Sequence, residues 1–136
     1  MNNPRDKGEG WVGFDLDGTL ALYDGFKGDD HIGDPIEPMV RKARQYIQEG
    51  RDVRLFTARK PHPAIRRWMY QHLGTILPIT NVKDHQMQAL YDDRAVGIRR
   101  NEGVPFDDDN EKQIFQESED GNDDETEDEE NENDAT

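Results

Sequence analysis

The chain has 136 residues, a length that suits one domain, with no cysteine and a formal net charge of −14. Without cysteine, disulfides and thiolate metal sites are excluded, and no apolar run reaches the roughly 18 residues that a membrane span needs. The charge is unevenly spread: residues 107–136 hold 16 of the 31 acidic residues and a single base, Lys112, which leaves 15 acids and 16 bases in residues 1–106.

The opening "MNNPRDKGEG" lacks the apolar core of a signal peptide, so a soluble cytoplasmic protein is expected. "WVGFD" (11–15) follows and reads as a short buried strand with Val12 and Phe14 on one face. "GDPIEPMVRKARQYIQEG" predicts a helix over about 35–49. Asp34 is its expected N-cap, Pro35 its first residue, and Val40, Ala43 and Ile47 its buried stripe, with Gly50 ending it. "DVRLFT" (52–57) predicts a second strand. "HPAIRRWMYQHLG" (62–74) predicts a second helix, with Ile65, Trp68 and Met69 facing inward and Gly74 as its stop. Short strands are expected over 89–91 and 95–98. The closing "EDGNDDETEDEENENDAT" has only Ala135 as an apolar residue and cannot offset its ordering entropy, so a disordered acidic tail is expected over 107–136, after a folded domain over 1–106.

Alternating strands and helices predict an α/β fold with a central parallel sheet. Ligands of such sheets bind beyond the carboxyl ends of the strands. That edge would gather Asp15 and Asp17 from the first strand, Thr57 from the second, and Asp92 and Asp93 from a later one. Each motif alone has a plainer reading: "DLDG" and "YDDRA" both fit solvated acidic turns. An EF-hand loop is rejected, because its sixth position wants glycine and its twelfth glutamate, whereas here Gly18 is fourth and Phe26 twelfth.

Taken together, "DLDGT", the Thr57 of "LFTAR", the Lys83 of "ITNVKD" and the acidic pair of "YDDRA" resemble the four motifs of the haloacid dehalogenase superfamily, in order, over residues 11 to about 100. The small capless phage and bacterial phosphatases of that superfamily look most similar. The resemblance implies a Rossmann-like three-layer fold. It also implies a magnesium-dependent phosphomonoesterase working through an aspartyl-phosphate. Asp15 would be the nucleophile, and Asp17 the acid and then the base. Thr57 and Lys83 would bind the phosphoryl group. Asp15, Asp17 (through its main-chain carbonyl) and Asp92 would hold Mg²⁺, with Asp93 as a further ligand or as a partner of one. Main-chain N–H groups around Gly18 would complete a phosphate cradle.

Little chain is left for a cap domain. Residues 21–33, "ALYDGFKGDDHIG", suffice only for a flap, so no substantial cap is expected and an open site would admit a nucleotide or a phosphorylated nucleic-acid end. Arg59, directly after the Thr57 strand end, is the expected substrate contact, and Arg94 the expected partner of the acidic pair. The tail is expected to aid solubility, with two other readings open: binding a basic partner, or folding back on the arginines after strand two. The competing function is a binding or regulatory protein on the same scaffold, with the tail as its interaction module.

Overall fold

Trp11–Phe14 form β1, and all four residues are buried. Val12 and Phe14 point to one face and Trp11 to the other, as the two-residue period of extended chain requires. The chain continues through α1 (Glu37–Gln48), β2 (Val53–Phe56), α2 (Pro63–Leu73), β3 (Ile79–Thr80) and β4 (Met87–Tyr91). The structure, a computed structural model, describes residues 9–106, so the expected acidic tail lies outside the described residues. The chain divides into two units between Arg94 and Ala95.

The first unit is an α/β fold. Its four strands are all parallel, in the order β3-β2-β1-β4. Both helices belong to the core built on Val12, Phe14, Val53 and Leu55: Val40 and Ala43 come from α1, and Ile65, Trp68, Met69 and Leu73 from α2. Fully buried side chains such as Phe14, Leu55 and Ile65 contribute about 1.5–3 kcal/mol each by leaving water.

The expected third layer is not helical among the described residues. The crossovers β1→β2 and β2→β3 step in the same direction, and a fixed hand then puts their helices on the same face. The return from β3 to β4 has only residues 81–86, too few for a crossover helix. This short segment crosses the other face, where Asp84 accepts a hydrogen bond from the Trp11 indole (2.7 Å) and approaches Arg54 at 3.9 Å. Arg54 lies over the Trp11 ring, 4.7 Å from its centroid. Gly13 gives room on this face: a Cβ there would sit 3.0 Å from the Trp11 side chain and 3.1 Å from that of Leu90.

Helix α1 starts later than expected. Asp34 and Pro35 are not its cap and first turn, because the chain there is extended and bonded to residues 20–22. Leu22 N–H donates to the Asp34 carbonyl (2.8 Å), Ile36 N–H donates to the Leu20 carbonyl (2.7 Å), and Ala21 bridges Pro35. Ile36 is the N-cap and Pro38 stands in the first turn. These bonds close the neck of a loop over residues 22–34, and the Trp68 indole of α2 donates to the Gly33 carbonyl to hold it down (2.9 Å). Residues 15–36 hold no helix or strand beyond isolated bridges, in line with the small flap expected.

The start and end of α2 follow its local chemistry. His62 Nδ1 accepts from the Ala64 N–H (3.0 Å), and Gly74 closes the helix at φ 82°. The two-residue strand β3 was not expected. In the second unit, the strand expected over 95–98 does not form: Ile98 makes a single antiparallel bridge to Pro105, which has no N–H with which to extend a ladder.

Gly33→Ala tests the closed neck. Its Cβ would lie 2.1 Å from the Leu22 carbonyl oxygen. The expected loss in denaturant unfolding is about 1–3 kcal/mol, whereas Gly25→Ser, where nothing lies within 4 Å of a Cβ, is expected to perturb only its own strained φ of 116°.

Candidate functional site

β1 and β4 are adjacent and parallel, with Phe14 paired to Tyr91. The Asp15 N–H extends the ladder to the Tyr91 carbonyl (2.9 Å). Asp15 and Asp92 are therefore the first residues past two neighbouring strand ends. One carboxylate oxygen from each of Asp15, Asp92 and Asp93 lies within 4.8 Å of the others. Of the residues expected at the site, these three are brought into one cluster.

Two residues of the turn after β1 hold the cluster in register. Thr19 is 6% exposed. Its hydroxyl donates to Asp93 Oδ1 (3.2 Å) and accepts from the Asp93 N–H (3.0 Å). Sequence reasoning assigned Thr19 no role, although it is the threonine that ends "DLDGT". Gly18 has φ 86°, and a Cβ there would sit 2.4 Å from Asp93 Oδ2. Its N–H, expected in a phosphate cradle, already donates to the Ala21 carbonyl (2.8 Å). Gly18 thus supplies room for the Asp93 carboxylate. Asp92 Oδ1 accepts from the Arg94 main-chain N–H (2.8 Å), so Arg94 orients the pair through its backbone.

Asp15 is under strain of charge. Burial, then the Asp92 carboxylate, then Asp93 push its pKa up to about 7, against the Leu16 N–H. A group of hard oxygen donors carrying excess negative charge suits a hard divalent cation, which would relieve that repulsion.

Asp17 stands in the opposite environment. The Arg59 guanidinium grips it with two bonds, Nε to Oδ2 (2.8 Å) and Nη2 to Oδ1 (2.9 Å). Arg59 is itself placed by Thr57. This threonine directly follows β2, is 3% exposed, and accepts the Arg59 N–H on its Oγ1 (3.1 Å). Arg59 also reaches the loop, donating to the Asp29 carbonyl (3.4 Å) and lying 5.8 Å from the centroid of the Phe26 ring. Its pKa is raised, most by the bond to Asp17, with Asp29 and Tyr23 adding. Arg59 was expected to contact substrate directly; in this structure its guanidinium is engaged with Asp17.

Lys83 is not brought to the cluster by any contact. It is exposed, and among the described residues it has no hydrogen bond or ion pair. The next residue, Asp84, is pinned beside Trp11 at the amino end of β1, roughly 13 Å of strand away from Asp15. A groove of about 290 Å³ opens beside the cluster, lined by Gly18, Thr19, Ile36, Met39, Tyr91, Asp92 and Asp93. No protein family, curated protein or solved structure matches this chain.

The charge strain has a measurable sign. The Asp15 carboxyl titrates near 3.8 when unfolded and about 7 when folded. The folded state therefore holds a proton that the unfolded state has lost, and stability falls as pH rises from about 4 to about 7. Thermal melts are expected to show this fall, with Mg²⁺ raising Tm more at pH 8 than at pH 5, and Asp15→Asn removing both effects.

Proposed function

We propose that the protein is a divalent-cation-dependent phosphomonoesterase, of the type that forms an aspartyl-phosphate. The observation that carries this reading is the gathering of Asp15, Asp92 and Asp93 within 4.8 Å at the carboxyl edge of a parallel sheet, with Thr57 at the next strand end. The motif resemblance supports it. A capless site and the adjoining 290 Å³ groove agree with an open approach for substrate.

In this reading Asp15, Asp92 and Asp93 would hold Mg²⁺. The cation when bound offsets the charge of the phosphate and of the carboxylates around it. Asp15 attacks phosphorus with one carboxylate oxygen, the P–O bond to the leaving group breaks, and the bonding pair leaves with the alkoxide. The Thr57 hydroxyl accepts from Arg59 and keeps its own proton to donate to a phosphoryl oxygen. Water then attacks the acyl phosphate, giving one proton to Asp17 and releasing inorganic phosphate and the Asp15 carboxylate.

Both carboxylate oxygens of Asp17 accept from the Arg59 fork, which would orient Asp17 for the base role in this second step. Delivery of a proton to a poor leaving group requires the pair to part first. Aryl phosphates, whose leaving groups need no proton, escape that demand.

The expected activity is hydrolysis of an aryl phosphate with Mg²⁺, abolished by EDTA and by Asp15→Asn in protein that stays folded by circular dichroism. Full activity in Asp15→Asn would remove the nucleophile assignment. Asp17→Asn is expected to slow an alkyl phosphate at least tenfold more than an aryl phosphate, as measured by kcat/KM on the two substrates.

A further inference from the structure

Helix α2 has two stripes with different fates. Ala64, Ile65, Trp68, Met69 and Leu73 are buried in the core. The opposite stripe, Pro63, Arg66, Arg67, Tyr70 and Gln71, recurs at the same helical spacing and faces solvent. With Ile76 it lines a concavity of about 500 Å³. Tyr70 is 67% and Ile76 50% exposed, so apolar surface is open there. No carboxylate is among the residues that line it.

Charge sets this face apart. A solvated helix face ordinarily mixes acids and bases. Residues 53–83 instead hold six bases (Arg54, Arg59, Lys60, Arg66, Arg67 and Lys83) and no acid, in a chain with 31 acids. Arg54 and Arg59 are already paired, with Asp52 and Asp17. The side chains of Lys60, Arg66 and Arg67 have no hydrogen bond or ion pair among the described residues.

An apolar concavity beside unpaired cations suits an anionic ligand that also carries apolar side chains. The chain itself contains that chemistry. In "DDDNEKQIFQESED" (107–120), Ile114 and Phe115 are adjacent and seven acids flank them. Eight residues lead from Phe106 to Ile114, roughly 26–29 Å when extended, about the diameter of a small domain. A tethered segment also has an effective concentration on the order of millimolar, which favours it over a free partner. Nucleic acid would meet the repulsion of the 16 acids over 107–136.

We propose that the exposed face of α2 is the docking surface for residues 107–120 of the same chain. Ile114 and Phe115 enter the concavity beside Tyr70 and Ile76, and the flanking acids meet Lys60, Arg66 and Arg67. The inference does not need the phosphomonoesterase reading. Its consequence is that the seated segment withdraws three cations from any other polyanion.

The chain has no cysteine, so Gln116→Cys in full-length protein gives a single position for a nitroxide spin label. Broadening of backbone amides in NMR spectra then reports where the segment sits. Selective broadening at residues 63–71 and 76 is expected. Adding Ile114→Ser/Phe115→Ser is expected to lower the ratio of docked to undocked segment about tenfold or more, as for two large apolar side chains returned to water. Arg66→Ser/Arg67→Ser is expected to weaken docking as well. So is NaCl at about 1 M, where the Debye length falls to about 3 Å. The salt titration reads the charge contribution with both arginines in place, so it decides even if the arginine variant does not fold.

Broadening spread evenly over the surface, or broadening of α2 unchanged by the apolar substitutions or by salt, overturns the proposal. A mixture of isotope-labelled protein without nitroxide and unlabelled protein carrying it identifies the source. Sharp α2 signals in the mixture uphold docking within one chain; equal broadening there assigns the segment to a second copy and overturns it. An oligothymidylate that shifts the α2 amides, while the spin-labelled segment leaves them sharp, overturns the choice of occupant.

Discussion

The structure depends on one electrostatic constraint: three carboxylates share the carboxyl edge of a parallel sheet beside its buried first strand. Asp15 and Asp92 are placed there by the β1–β4 ladder, and Asp93 by its two bonds to the Thr19 hydroxyl. Like charges so close, one of them partly withdrawn from water, disfavour ionisation, and Asp15 is pushed up to about 7. The fold retains an arrangement that costs stability unless a cation or a proton offsets it. Gly18 is part of that arrangement, since any side chain there would displace the Asp93 carboxylate.

Asp15 and Asp17 are two residues apart in one motif and live in different fields. Asp15 is crowded by acids, while Asp17 is bound by the Arg59 fork. The two carboxylates of one motif therefore stand in unlike environments, one among acids and the other on a guanidinium. The connection through Thr57 and Arg59 also ties the end of β2 to the loop after β1. The loop, which packs Ile32 against the core, is thereby also held at the carboxyl edge of the sheet.

The strongest elements were legible in the sequence because their signals are local. The buried alternation of β1, the glycine stop at Gly74 and the stripe of Ile65, Trp68 and Met69 need no tertiary context. The start of α1 was not legible: Asp34 and Pro35 form a fair capping pattern, but their backbone is claimed by residues 20–22, a contact that spacing does not reveal. No helix covers the second face among the described residues, since residues 81–86 return across the sheet in too short a span. The carboxylate convergence was readable from strand ends. The pairing of Arg59 with Asp17 was not, because it depends on a side chain reaching from beyond one strand end to beyond the next. Thr19 could have been found, as the one buried-type hydroxyl in the motif, had its position next to the acidic pair been foreseen.

The central claim, that the Asp15–Asp92–Asp93 cluster takes a divalent cation, is tested most directly by titrating Mn²⁺ into full-length protein and following backbone amides by NMR. At substoichiometric ion, the account expects selective broadening at residues 16–19 and 91–93, abolished by Asp92→Asn. Sharp signals at those positions while amides elsewhere broaden, or broadening there that survives Asp92→Asn, would contradict it.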